Sequence, residues 1–143
     1  MKIFNTNKDE TLVVALGGLG EVGKNMYVIM HNDELIIIDS YADTTLLDII
    51  KKLTCKVILI TKNSDRLSNN DITRYNSQYH NLTIFRDNSF HDRYIIIDKK
   101  ILYQSGTSIN NAGKYIFSIY KSDDIFIKEK LLEIINEIIN GGI

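Results

Sequence analysis

The chain has 143 residues, 44% of them hydrophobic and 24% charged, with 17 basic against 18 acidic side chains. That is one domain's worth of polymer with enough apolar material for a single core, which excludes a disordered tail. A net charge of -1 excludes a strongly basic nucleic-acid coat protein and confines any nucleic-acid contact to a local patch.

In chain order, TLVVAL (11–16) is a short apolar run of strand type, ended by Gly17-Gly18-Leu19-Gly20. NMYVIM (25–30) is rich in strand formers, HNDE (31–34) reads as a turn, and LIIID (35–39) follows. The last two runs are expected to pair as a hairpin. Leu46, Leu47, Ile49, Ile50 and Leu53 recur at helical spacing, with Asp43 or Thr44 as the N-cap. KVILIT (56–61) reads as a buried strand. A polar helix is expected from near Ser68, with Asp71 in its first turn. Strands follow at LTIF (82–85), RYIIID (93–98), ILYQS (101–105) and YIFSIY (115–120). The spacing of apolar residues at 127, 131, 134, 135, 138 and 139 predicts a last helix from Ile125 to Ile139. Strands and helices alternate, so the expected fold is a single α/β (α+β) domain, a mixed β-sheet flanked by helices.

No apolar run approaches the roughly 20 residues that cross a bilayer, so no membrane span is expected. The first residues, MKIFNTNKDE, lack the apolar stretch of a signal peptide, and a cytoplasmic protein is expected. Cys55 is the single cysteine and reads as a small buried hydrophobe. Proline is absent and lysine far exceeds arginine. Arg66, Arg74, Arg86 and Arg93 therefore draw notice as positions where a planar fork is retained.

Gly18, Gly20 and Gly23 fit G-x-G-x-x-G after a strand, the spacing of a dinucleotide site. Such a site needs a helix N-terminus facing the pyrophosphate. KNMYVIMHNDELIIID, which follows, is β-branched and alternating, so a glycine-rich turn is the better reading and no cofactor is expected. The segment LVVALGGLGEVGKNMYVIMHNDELIIID (12–39) resembles the opening strands of the RNase J group of metallo-β-lactamase-fold ribonucleases. The resemblance implies an N-terminal β-hairpin extension over 1–34, ahead of a main domain over 35–143. The two-metal chemistry of that family depends on a His-x-His-x-Asp-His cluster. This chain has only His31, His80 and His91, far apart, and no metal site is expected.

The stretch that carries chemistry is Phe90-His91-Asp92-Arg93-Tyr94-Ile95-Ile96-Ile97-Asp98, followed by Ser105-Gly106-Thr107-Ser108-Ile109-Asn110. On a strand alternate residues share a face. His91 and Arg93 are thus expected to point the same way, a nucleophile or general acid beside a phosphate fork. Ile95 and Ile97 continue that face and Ile96 the other, so both faces read as buried, with Asp98 closing the strand. Gly106 permits close backbone approach to a ligand, with Ser108 and Asn110 as polar groups beside it. Each residue also has a plainer reading. Arg93 pairs with Asp92 or Asp87 on the surface, Asp98 is a turn residue before Lys99-Lys100, and Ser108, Asn110 and Asn111 include a helix or turn cap. His31 and His80 read as solvated, and Tyr115 and Tyr120 as core or sheet residues.

This spacing resembles the phospholipase D superfamily, whose signature is His-x-Lys-x4-Asp followed by a Gly-Ser-x-Asn-like turn. His91, Arg93 and Asp98 take the three catalytic positions, and Gly106, Ser108 and Asn110 the substrate-binding turn. Arginine replaces lysine, and Thr107 is an extra residue between glycine and serine. Residues 36 to 132 further resemble a C-terminal domain of phage antirepressor-type regulators, through IIIDSYADTTLLDIIKK, KVILITKN, DITRYNSQYHNLTIF and FHDRYIIIDKKILYQSGTSINNAGKYIFSIYK. The resemblance implies a phospholipase-D-like fold and a metal-independent phosphodiesterase or nuclease. In it His91 is the nucleophile, Arg93 neutralises charge on the non-bridging oxygens and Asp98 orients an imidazole. One chain offers one such motif, so the second histidine is expected from another copy in a homodimer. The implied partner is nucleic acid or another phosphodiester. The alternatives are a catalytically inactive nucleic-acid- or protein-binding module of a phage-derived regulator, and a fragment of an RNase J-like ribonuclease.

Overall fold

The structure, a computed structural model, describes residues 34–106, 108 and 118–141, together with the backbone of two strands at 12–15 and 27–30. The elements run β1 (Leu12–Ala15), β2 (Tyr27–Met30), β3 (Glu34–Ile38), α1 (Thr44–Ile50), β4 (Lys56–Thr61), α2 (Asn69–Tyr79), β5 (Leu82–Arg86), β6 (Arg93–Ile97), β7 (Ile101–Ser105), β8 (Ile119–Ser122) and α3 (Ile125–Gly141). Six strands form one mixed sheet in the order β5-β4-β3-β6-β7-β8. β3, β4 and β5 run parallel, and β3, β6, β7 and β8 are successively antiparallel. The expected α/β (α+β) class, a mixed sheet flanked by helices, is what the structure shows.

The uninterrupted apolar runs explain the layering. Strands buried on both faces lose the polar alternation of one-sided sheets. In β3, Leu35 and Ile37 join a cluster with Leu46, Leu47 and Ile50 of α1 and Tyr75 of α2, whereas Ile36 and Ile38 join Leu131 and Ile135 of α3. β4 divides the same way, Val57 and Leu59 against Ile58 and Ile60. Ile97 faces the α1–α2 side and Ile96 the α3 side, so β6 is sandwiched as its pattern indicates.

One pairing differs from expectation. β2 pairs with β1, Leu12 opposite Met30, and not with β3. β3 instead sits inside the sheet, with β4 on one edge and β6 on the other, so no edge is left for β2. The strand expected at 115–120 begins at Ile119 and continues to Ser122. Residues 115–117, the glycine loop of 17–24 and the turn containing His31 lie outside the described residues.

The helix starts follow their capping chemistry. Asp43 caps α1, its side chain accepting from the backbone N–H of Thr45. Ser68 and Asp71 form a capping box on α2, and Asp124 accepts from the N–H of Ile127 at the start of α3. His80 ends α2 as its C-cap at φ 55°, exposed. Ile127, expected on the core face of α3, is 39% exposed, and the first turn with Ile125 and Phe126 stays outside the core.

Cys55 is buried in the α1–α2 cluster. Desolvation pushes its thiol up to about 11 from an ordinary 9.0. Because the folded state holds the thiol above its unfolded value, this contribution to stability is complete below about pH 9. It is lost as pH rises toward 11. Urea unfolding at pH 8 and at pH 11 is therefore expected to differ by about 2–3 kcal/mol more in the native chain than in Cys55→Ala. Tyr75, pushed up to about 12 mainly by burial, adds a later loss of the same sign in both proteins.

Candidate functional site

One end of the sheet gathers the polar residues. It is the end where β3, β4, β5 and β7 finish and where β6 and β8 begin, since Ile38 lies opposite Tyr94, Arg93 opposite Ser105, and Ser105 opposite Ile119. Ligands of open α/β sheets sit at the carboxyl ends of the parallel strands, where loops diverge and leave a crevice.

Asp39 organises this end. It follows the apolar run of β3 directly and is 0% exposed. Its backbone N–H donates to the carbonyl of Ile60 (3.0 Å), which holds it against the end of β4. Its Oδ1 accepts from the N–H of Tyr41 (3.1 Å) and its Oδ2 from the hydroxyl of buried Ser108 (2.8 Å). The carboxylate thus ties the turn after β3 to the segment after β7. Ser40 makes a parallel tie, its Oγ donating to the carbonyl of Phe90 (3.2 Å). This sets Ser40 beside Phe90. Asp39 and Ser40 were not singled out in the sequence. The available signal was a carboxylate placed straight after a run of four buried apolar residues.

His91 is exposed and stands just before β6, whose first residue is Arg93. The two were expected on one strand face; the ladder instead starts at Arg93. The reason is that β3 has already turned away at Asp39, so β6 has no partner on that side beyond Tyr94. The segment before it is held by side-chain bonds, Asp87 Oδ1 accepting from the N–H of Ser89 (2.7 Å) and Ser40 donating to Phe90.

Arg93 lies within the site. Its Nη1 donates to the carbonyl of His91 (3.4 Å), and its guanidinium carbon is 5.5 Å from the centroid of the Tyr41 ring. Lys62 Nζ is 6.0 Å from the same centroid. The surface ion pair with Asp92 or Asp87 does not form. Asp92 accepts from the Tyr94 hydroxyl and from Gln104 Nε2, each at 3.3 Å, and among the described residues no carboxylate pairs with Arg93. Burial, and then the Asp92 charge, holds the Tyr94 hydroxyl above its ordinary range, so it stays a donor. By contrast Arg86 is fully committed to structure, with Nε on Asp65 (3.1 Å) and Nη2 on the Leu67 carbonyl (3.0 Å).

Gly106 and Ser108 reach the same end of the sheet as Arg93. The N–H of Gly106 donates to the carbonyl of Ser118 (3.2 Å). A Cβ on Gly106 would meet only Ser118 within reach, its hydroxyl at 3.6 Å, so packing within the described residues does not demand a glycine there. Asn110 lies outside the described residues. Asp98 is not brought to the site. Five strand steps from Arg93 span roughly 16 Å, which places it at the opposite end of β6. There it adopts φ 50° and exchanges hydrogen bonds with Glu34, its N–H donating to the Glu34 carbonyl (2.9 Å) and its Oδ1 accepting from the Glu34 N–H (3.0 Å). Among the described residues no group of three or more His, Cys, Asp or Glu is placed to hold a metal ion. Nor is any helix among them long and apolar enough to cross a membrane.

Comparisons with known proteins support this architecture. No family model matches the chain. In sequence, 40 residues are 56% identical to ribonuclease J 1 of Streptococcus pyogenes serotype M3, which is 28% of this chain and 7% of that protein's length. In structure, the chain is similar to NucT from Helicobacter pylori, with a TM-score of 0.55 and 17% identity over 76% of this chain and 80% of that one. It is also similar to Nuc from Salmonella typhimurium, a phospholipase D family member, with a TM-score of 0.52 and 16% identity over 76% and 78% of the two chains. The fold is phospholipase D-like.

Proposed function

We propose that the chain is a metal-independent phosphodiesterase or nuclease of phospholipase D type, acting in the cytoplasm as a homodimer on nucleic acid or another phosphodiester. The observation that supports this reading best is the meeting of His91, Arg93, Gly106 and Ser108 at one sheet end of a phospholipase D-like fold. The imidazole of His91 attacks phosphorus, the bond to the leaving oxygen breaks, and a phosphohistidine forms. Arg93 neutralises charge on the non-bridging oxygens as it develops. A histidine of a second copy protonates the leaving oxygen, and water then releases the phosphate. Gly106, Ser108 and Asn110 contact the substrate, and Asp98 acts from the far end of β6, where it accepts from the Glu34 N–H.

Wild-type protein in excess EDTA is expected to hydrolyse a chromogenic phosphodiester or an oligonucleotide, and to sediment as a dimer. Absence of turnover on both substrates, or a strictly monomeric active protein, overturns the reading. A second reading, a silent binding module of a phage-derived regulator, is favoured by the commitment of Asp98 to Glu34, which removes one member of the motif from the site. Salt-sensitive nucleic-acid binding without turnover is its signature.

A further inference from the structure

Three neighbouring strands each deliver one side chain to the site end of the sheet. In the order β4-β3-β6, Lys62 directly follows β4, Tyr41 stands three residues past β3, and Arg93 opens β6. The ring from the middle strand therefore has a cation from either neighbour close to it. The Arg93 guanidinium carbon is 5.5 Å and Lys62 Nζ 6.0 Å from the Tyr41 centroid, both within reach of a cation–π attraction. The turn that carries the ring is itself held. Tyr41 N–H donates to Oδ1 of fully buried Asp39 (3.1 Å), and Asp43 caps α1 just beyond.

What holds a cation decides what it can still do. A carboxylate partner cancels most of its charge, as Asp65 does for Arg86 at 3.1 Å. Among the described residues neither Arg93 nor Lys62 has a carboxylate partner. Arg93 is held by the ring and by the His91 carbonyl (3.4 Å), and Lys62 by the ring. A ring quadrupole and a carbonyl dipole orient a cation without neutralising it. Two like charges gathered at one ring also repel each other, and an anion arriving there relieves that repulsion.

We infer that Tyr41 is a positioning residue whose ring poses Arg93 and draws Lys62 to the same place, making Lys62 a second cation for the phosphate group of the substrate. This rests on the proposed phosphodiester site and adds to it two residues outside the motif. It also accounts for the arginine at position 93. A planar, weakly hydrated guanidinium lies on an aromatic face better than an ammonium does.

The test is titration of inorganic phosphate into the nitrogen-15 arginine-labelled chain in EDTA, read on the Nε–H signals. Arg93→Lys identifies the Arg93 signal, and turnover of a chromogenic phosphodiester is followed in parallel. Phosphate is expected to move the Arg93 signal of the wild type. Lys62→Gln is expected to weaken phosphate about fivefold while the starting Arg93 signal stays in place. Tyr41→Leu shifts that starting signal and weakens phosphate about tenfold, since both cations lose the ring. Tyr41→Phe keeps the ring and binds within about twofold of wild type. The double variant Tyr41→Leu with Lys62→Gln binds about as Tyr41→Leu alone, because leucine has already released the lysine. Losses that instead multiply in the double variant would show ring and lysine acting separately, and would overturn the inference. So would wild-type affinity in Lys62→Gln or Tyr41→Leu, a loss in Tyr41→Phe as large as in Tyr41→Leu, or phosphate that leaves the Arg93 signal unmoved. The two proposals separate cleanly. Ring-dependent phosphate binding without turnover of the diester keeps the positioning role and overturns hydrolysis. Turnover that requires His91 but is indifferent to Tyr41→Leu and Lys62→Gln keeps hydrolysis and overturns the positioning role.

Discussion

His91→Ala is expected to reduce hydrolysis in EDTA on the order of 10³-fold or more, with no shift in the unfolding midpoint. The two halves of that expectation come from different observations. His91 is exposed and precedes the first ladder residue of β6, so truncating it removes no core contact, and such surface changes usually stay within about 0.5 kcal/mol. The loss is therefore chemical: alanine offers no nitrogen to attack phosphorus. Arg93→Lys keeps the charge but gives up the fork, and is expected to fall between wild type and Arg93→Ala. Asp98→Asn supplies the contrast, because it sits at the other end of the strand. It should lower stability through the Glu34 contact while the rate of the folded protein holds. A rate that survives His91→Ala would remove the histidine from the mechanism.

Features set by short-range chemistry were legible in the chain. The capping box of Ser68 and Asp71 spans three residues and needs no tertiary information, and it starts α2 where expected. The two-sided burial of β3, β4 and β6 followed from their unbroken isoleucine, leucine and valine runs. Strand partners were harder. NMYVIM and LIIID are close in sequence, which favours a hairpin on loop entropy alone, but β3 keeps both edges for β4 and β6. The site was legible in part. His91, Arg93 and Ser108 do converge on one end of the sheet, yet the x4 spacing from Arg93 to Asp98 is itself the length of β6. Strand rise alone sends that aspartate away from the histidine. Asp39 escaped notice because its role depends on Ser108, sixty-nine residues later, and no local pattern encodes that contact.

That long-range contact is the basis of the second large effect. Asp39→Ala is expected to cost about 2–4 kcal/mol in urea unfolding, because a buried hydroxyl on Ser108 and the N–H of Tyr41 both lose an acceptor at about 1–3 kcal/mol each. An opposing term exists, since removing a fully buried carboxylate also ends its desolvation cost. The hydrogen bonds decide the sign: at 2.8 and 3.1 Å the carboxylate accepts from both donors, and alanine leaves a gap rather than a replacement. Asp39→Asn keeps one acceptor for Tyr41 and lets the Ser108 hydroxyl turn to accept from the amide, so it should recover much of the loss. Ser108→Ala should cost less than Asp39→Ala, as it removes one donor and leaves the Tyr41 bond. The double variant then measures the tie itself, with an expected coupling of about 0.5–3 kcal/mol. Additive costs would show that Asp39 and Ser108 are merely adjacent, and that the segment after β7 is held at the site by something else.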